Sequence, residues 1–183
     1  MSTIKFEIDF FSHWHCGSGQ AAGADVDALV VKDRRELPYV PGKTIKGLLR
    51  DAAMILGGKT ETIDKVFGVS GKQNGDVFFG NATLAKAESN YIVQEKLIPY
   101  LYQSFSSTAI NEDGIAKDNS LRKIETVVPC KLEGIILNVP KDDECEKLLV
   151  DAMKYIKRMG TGRNRGFGRC SFTIVKIEKE ETK

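Results

Sequence analysis

The chain has 183 residues, 42% of them hydrophobic, and its 27 Lys and Arg against 25 Asp and Glu leave a net charge of only +2. That length carries one well-buried core and is too short for two ordinary domains, so a single domain over residues 1–183 is expected. The near-balanced charge excludes a uniformly basic coat, and any surface for a polyanion must come from local clustering. No run of about 18 apolar residues occurs and the N-terminus enters a strand pattern directly, which gives no membrane span, no secretory signal and an expected cytoplasmic location. Cys16, Cys130, Cys145 and Cys170 are far apart and form no C-x-x-C pair, so four reduced thiols are expected.

Ile4, Phe6, Ile8 and Phe10 alternate with Lys5, Glu7 and Asp9, the period of a half-buried strand. A Gly- and Ala-rich stretch follows, then a short strand pattern at Ala28 to Lys32, and Pro38-Tyr39-Val40-Pro41-Gly42 forces a loop. Ile45, Leu48, Leu49, Ala52, Ala53 and Leu56 recur at helical spacing over Lys43 to Leu56, and Gly57-Gly58 stops that helix. Val77 to Leu84 and Lys131 to Val139 read as strands, and the third of the chain between them is the least regular. A second helix is predicted over Asp142 to Met159, and a last strand over Cys170 to Ile177. The order strand, helix, strand, strand, helix, strand predicts an α+β fold of the ferredoxin-like βαββαβ kind. Two long insertions interrupt it, at about residues 11–41 and 85–128.

Between the second helix and the last strand, Gly160, Gly162, Gly166 and Gly168 interleave with Arg163, Arg165 and Arg169. Glycines let backbone N–H groups approach an anion, and each guanidinium grips a phosphate with two parallel hydrogen bonds. From Lys147 to Arg169 seven basic residues face only Asp151, so the clustering that the net charge requires is here. At the start of the first helix Lys43, Lys46 and Arg50 repeat on one side, near free N–H groups at the positive end of the helix dipole. Gly42-Lys43-Thr44 is not a nucleotide-binding P-loop, because the first glycine of that motif falls on Leu37. The helix start and the glycine-arginine loop are expected to converge on one groove for a ribose-phosphate chain.

Asp25 and Asp27 lie two apart, so in extended backbone both carboxylates face one side and suit a shared Mg²⁺ or Mn²⁺ of the kind that cuts phosphodiesters. His13-Trp14-His15-Cys16 holds both histidines. A metal centre there lacks further ligands, whereas an imidazole that hydrogen-bonds phosphate, or acts as a general acid-base, fits equally with a buried structural histidine.

Together these segments resemble the RAMP superfamily of CRISPR-associated proteins, and within it the repeated backbone subunit of type III (Csm and Cmr) effector complexes. The resemblance rests on His15-Cys16-Gly17-Ser18-Gly19, Val26 to Asp33, Tyr39 to Arg50, Val66-Phe67-Gly68, Val77 to Ala82, the stretch Ala109 to Pro129 and the loop Gly160 to Arg169. It implies a modified RRM-like fold with a thumb, polymerising into a filament along crRNA beside other effector subunits. The guide would be held by Lys43, Lys46, Arg50 and the glycine-arginine loop, with His15 nearby. It also implies that Asp27 holds the divalent metal and cuts target RNA; Asp25 has no firm counterpart. Asn111-Glu112 stand where the family has an acidic-basic pair. Two other readings stay open: a metal-independent repeat-RNA endoribonuclease using His15, and a non-catalytic RNA-binding subunit.

Overall fold

The computed structural model describes residues 1–20, 26–69, 73–74 and 77–179. Its main sheet is built on β1 (Ser2–Phe10), whose outer neighbours are both antiparallel. Further along the chain come β2 (Tyr39–Val40), α1 (Gly42–Ile55), α2 (Thr60–Phe67) and the small hairpin of β3 (Gly68–Val69) and β4 (Gln73–Asn74). The strand expected over Val77 to Leu84 is divided into β5 (Phe78–Phe79) and β6 (Ala82–Thr83). The break falls at Gly80, where a Cβ would meet the Ile135 carbonyl oxygen at 3.0 Å, so the backbone there lies hard against the next strand. α3 (Lys86–Gln94), β7 (Tyr102–Ser107) and β8 (Arg122–Val127) fill the second insertion. β9 (Lys131–Val139), α4 (Asp143–Tyr155) and β10 (Cys170–Lys179) complete the order.

The strands run β10-β1-β9-β6-β2, with β5 also on β9. Taking β1, the β5–β6 strand, β9 and β10 as the four strands of the βαββαβ frame, this is the ferredoxin-like order with β2 added at the edge. Ile4, Phe6 and Ile8 of β1, Leu132 and Ile136 of β9, and Leu149, Ala152 and Met153 of α4 are at most 1% exposed and form the centre of the core. The residues between them in β1 are polar, which is why alternation alone located the strand.

α4 begins where Asp142 accepts the Glu144 N–H at 3.0 Å, and Asp143 and Glu144 in its first turn suit the positive end of its dipole. It ends four residues before the predicted Met159. Ile156 and Met159 keep the helical spacing and are buried, but Ile156 turns extended and Met159 N–H donates to the Gly168 carbonyl at 2.9 Å. The predicted last helical turn is thus the first arm of the glycine-arginine loop. The short strand read at Ala28 to Lys32 is instead a run of isolated bridges. Among the described residues no helix is long and apolar enough to cross a membrane.

Candidate nucleic-acid interface

All four loop glycines have positive φ. At Gly160 a Cβ would overlap the His15 carbonyl oxygen, and at Gly168 one would overlap the Met159 carbonyl oxygen. Hydrogen bonds accompany these approaches: Thr161 N–H donates to His15 O at 2.9 Å, Met159 N–H to Gly168 O at 2.9 Å, and Gly168 N–H to His13 O at 2.7 Å. The loop is therefore bolted onto the segment after β1, and Arg163 and Arg165 stand exposed at its tip in a 3-10 turn. Arg158 adds a strut, its guanidinium donating to the Arg163 carbonyl at 3.2 Å.

Facing the loop is the hairpin β7–β8. Its Phe105 meets Phe167 of the loop edge-to-face, with centroids 5.1 Å apart, and meets the His13 ring at the same separation. Between hairpin and loop lies a groove of about 620 Å³, lined by Phe105, Ser106, Ser107, Arg122, Ile124, residues 160–165 and Phe167. Three guanidiniums and, among the described residues, no carboxylate line it, so one sign of field is focused on a cleft that also offers aromatic edges. A second concavity of about 440 Å³, on the sheet, is lined by Lys5, Glu7, Asn81, Thr83, Glu133 and neighbours. Its mixed charge gives a polyanion no such field.

The structure separates what the sequence was expected to bring together. Lys43, Lys46 and Arg50 are not in the groove lining. α1 starts beside Phe79 and Gly80, where Gly42 N–H donates to Asn81 Oδ1 at 2.8 Å, and it is fed by β2 at one edge of the sheet. The glycine-arginine loop feeds β10 at the other edge. Arg169 is exposed but outside the groove; its N–H donates to Ser12 Oγ at 3.0 Å and closes the loop. The expected single groove is corrected to two places, with the hairpin as partner of the loop. Phe105 and Arg122 escape a reading of the sequence because nothing in the irregular insertion sets the register that aims them at the loop.

His15 is 2% exposed and lies beneath the loop, with Nδ1 2.6 Å from the Glu125 carbonyl oxygen. A carbonyl only accepts, so Nδ1 carries the proton. Trp14 is fully buried and stacked on Phe10 at 4.5 Å, which makes it a core residue. Asp27 is exposed; its N–H donates to the Lys123 carbonyl at 2.8 Å and its Oδ2 accepts the Lys123 N–H at 2.6 Å. Asp25 lies outside the described residues. Among those described, no three His, Cys, Asp or Glu side chains cluster as a ready-made metal centre. All four cysteines are free thiols.

Solved structures share this fold. A chain of the cryo-EM structure of the Type III-B Cmr-beta bound to cognate target RNA superposes with a TM-score of 0.77 at 12% identity, covering 94% of this chain and 97% of its own. A chain of the Type III-B Cmr-beta in its apo state gives 0.72 at 12% identity, covering 95% and 97%. No curated protein sequence matches the chain. A family model described as the RAMP superfamily matches residues 7–171, a span that takes in the end of β1, the histidine pair, both helices of the ferredoxin-like frame and the whole glycine-arginine loop; the chain belongs to the RAMP superfamily.

Proposed function

We propose that this chain is a crRNA-binding backbone subunit of a type III CRISPR effector complex that cuts target RNA at Asp27. One observation carries the binding half: the carboxylate-free groove between the glycine-arginine loop and the β7–β8 hairpin, walled by Arg122, Arg163 and Arg165. Phosphates pair with guanidiniums, while Phe105 and Phe167 offer ring edges to splayed bases, a combination suited to single-stranded RNA. Sequence reading is left to guide–target pairing, because the groove grips backbone. Lys43, Lys46 and Arg50 form a second basic place, met by another stretch of the same guide as copies assemble along it in a filament beside other effector subunits.

Asp27 gives one hard oxygen donor in an exposed position, the chemistry that suits Mg²⁺ or Mn²⁺ when substrate phosphates and water complete the shell. When bound there, such an ion neutralises charge on the phosphoryl oxygens. The chain's own contribution is placement, since the Lys123 N–H holds Oδ2 and so sets the direction of the other oxygen. The metal-independent reading loses support from the burial of His15, whose Nδ1 is committed to Glu125 and which no RNA in the groove reaches without unseating the loop.

Two measurements test this. Arg163→Ala and Arg165→Ala each lower the slope of log affinity against log salt for single-stranded RNA by about 0.7, the value of one phosphate contact. An unchanged slope removes the groove from the reading. Asp27→Asn in the guide-loaded complex abolishes metal-dependent cutting while target RNA is still bound, and cutting at the wild-type rate refutes the catalytic half.

A further inference from the structure

Segment 26–32 belongs to no regular sheet, yet it is fastened along β8 at nearly every second residue. Beyond the two bonds between Asp27 and Lys123, Glu125 N–H donates to the Ala28 carbonyl at 3.0 Å. The Glu125 carboxylate then makes two more tethers: Oε2 accepts the Val30 N–H at 3.0 Å and Oε1 pairs with Lys32 Nζ at 2.9 Å. That ammonium lies 4.0 Å from the Tyr102 ring centroid, on the paired strand β7. The Glu125 carbonyl meanwhile accepts from His15, the residue on which the glycine-arginine loop rests. One residue thus ties the Asp27 segment, the hairpin and the loop together, with its side chain only 14% exposed.

From this geometry we propose that Glu125 is the positioning residue for Asp27, so that the β7–β8 hairpin carries the cutting carboxylate with it. The inference rests on the role of Asp27 proposed above. An exposed aspartate on irregular backbone has no fixed direction of its own. Its segment is bonded on one side to Cys16, Ser18 and Gln20 through Leu29 and Val31, and on the other, where Asp27 itself is held, the bonds of Asp27, Ala28, Val30 and Lys32 all end on β8. The adjacent β8 residue, Ile124, bridges Ala28 on one side and lines the RNA groove on the other. RNA seated in the groove and the carboxylate that cuts are therefore referenced to the same strand. Removing the Glu125 side chain leaves the Lys123 bonds in place but frees Val30 N–H and the Lys32 ammonium together. The segment keeps its backbone bonds to Cys16, Ser18 and Gln20 but loses its side-chain tie to β8, so Asp27 shifts relative to the hairpin, and a misplacement of about 1 Å at a reacting group is worth about 100-fold in rate.

The test is single-turnover cutting of labelled target RNA by the guide-loaded complex, with wild type, Glu125→Ala, Glu125→Gln and Asp27→Asn compared, alongside target affinity and amide hydrogen exchange. Glu125→Ala slows cutting by about 100-fold with target affinity unchanged, and Val30 N–H exchanges faster while core amides of β1 and β9 do not. Glu125→Gln, which keeps an acceptor for Val30 N–H, recovers cutting by about tenfold over the alanine variant. An inactive Asp27→Asn beside a Glu125→Ala that cuts at the wild-type rate overturns the positioning role alone. Loss of affinity in step with rate also overturns it, since the defect is then in binding. If Asp27→Asn still cuts, the underlying reading of Asp27 fails, whatever Glu125 does.

Discussion

The sheet with its helices and the β7–β8 hairpin are held together in different ways. In the sheet, β1 is paired on both sides for almost its whole length, and its inward residues Ile4, Phe6 and Ile8 are at most 1% exposed. In the hairpin most residues of β7 are exposed, and Ile110, Ile115 and Leu121 beyond its strands are 66%, 64% and 70% exposed. Only its base is buried, where Val127 exchanges backbone hydrogen bonds with Trp14 and Thr126 Oγ1 donates to the Gln103 carbonyl. Apolar burial decides the first region, and backbone pairing with polar tethers decides the second. Stability and RNA handling are accordingly assigned to different residues, and a substitution that moves both breaks the division.

The largest effect is expected inside the sheet layer. Leu149→Ala on α4, fully buried, costs about 3 kcal/mol from lost transfer energy and the cavity left behind, read as a lower urea midpoint with the RNA salt slope unchanged. A comparable loss comes from alkali. Burial pushes the thiols of Cys16 and Cys170 up to about 12, against 9.0 for the unfolded group. Above pH 9 the unfolded chain sheds protons that the folded chain keeps, so the stability these groups contribute below that pH is lost as pH rises towards 12. Cys16→Ala removes one thiol's share of that decline, read as a shallower fall of the urea midpoint as pH rises above 9.

Gly168→Ala sharpens the boundary between the two regions. Its φ of +66° and the approach of its Cβ position to the Met159 carbonyl oxygen make alanine cost about 2 kcal/mol locally. Because Gly168 N–H also anchors the loop on His13, Arg163 and Arg165 shift with it, and RNA affinity falls further than after Arg163→Ala alone. Full affinity in that variant would show that the loop grips RNA without its fixed shape.

The same division decides which elements are legible in the amino-acid sequence. Alternation in β1 and the apolar positions of β9 are direct marks of burial, so the pattern locates those strands to within two residues. α4 is legible at its start, where Asp142 caps it, and overruns at its end, because Ile156 and Met159 are buried at helical spacing by the loop and not by a helix. α2 escapes notice since Gly57-Gly58 just before it read as the end of helical structure, and α3 since it buries little beyond Ser89 and Ile92. The hairpin is illegible for a different reason. Its strands YQSFSS and RKIETV carry little alternating burial, and their register depends on pairing across a long turn. Arg163 and Arg165 announce themselves by composition, whereas Phe105, Arg122 and Glu125 gain their meaning only from that register.

The smallest predicted effect is the most pointed, because it puts stability and binding on one residue of the sheet layer. Gly47 sits inside α1, exposed, and nothing lies within 4 Å of where its Cβ would be. A helix-interior glycine in open solvent costs about 1 kcal/mol relative to alanine, and no neighbour in the chain requires its absence of a side chain. It does share a side of the helix with Lys43 and Arg50, four residues before it and three after. Gly47→Ala should therefore raise the melting temperature by about 3 °C. If a guide strand crosses α1 between those two cations, the added methyl group meets the strand and RNA affinity drops even as the protein becomes more stable. A variant that is more stable and binds equally well would take α1 out of the RNA path and leave the hairpin groove as the contact that the guide makes.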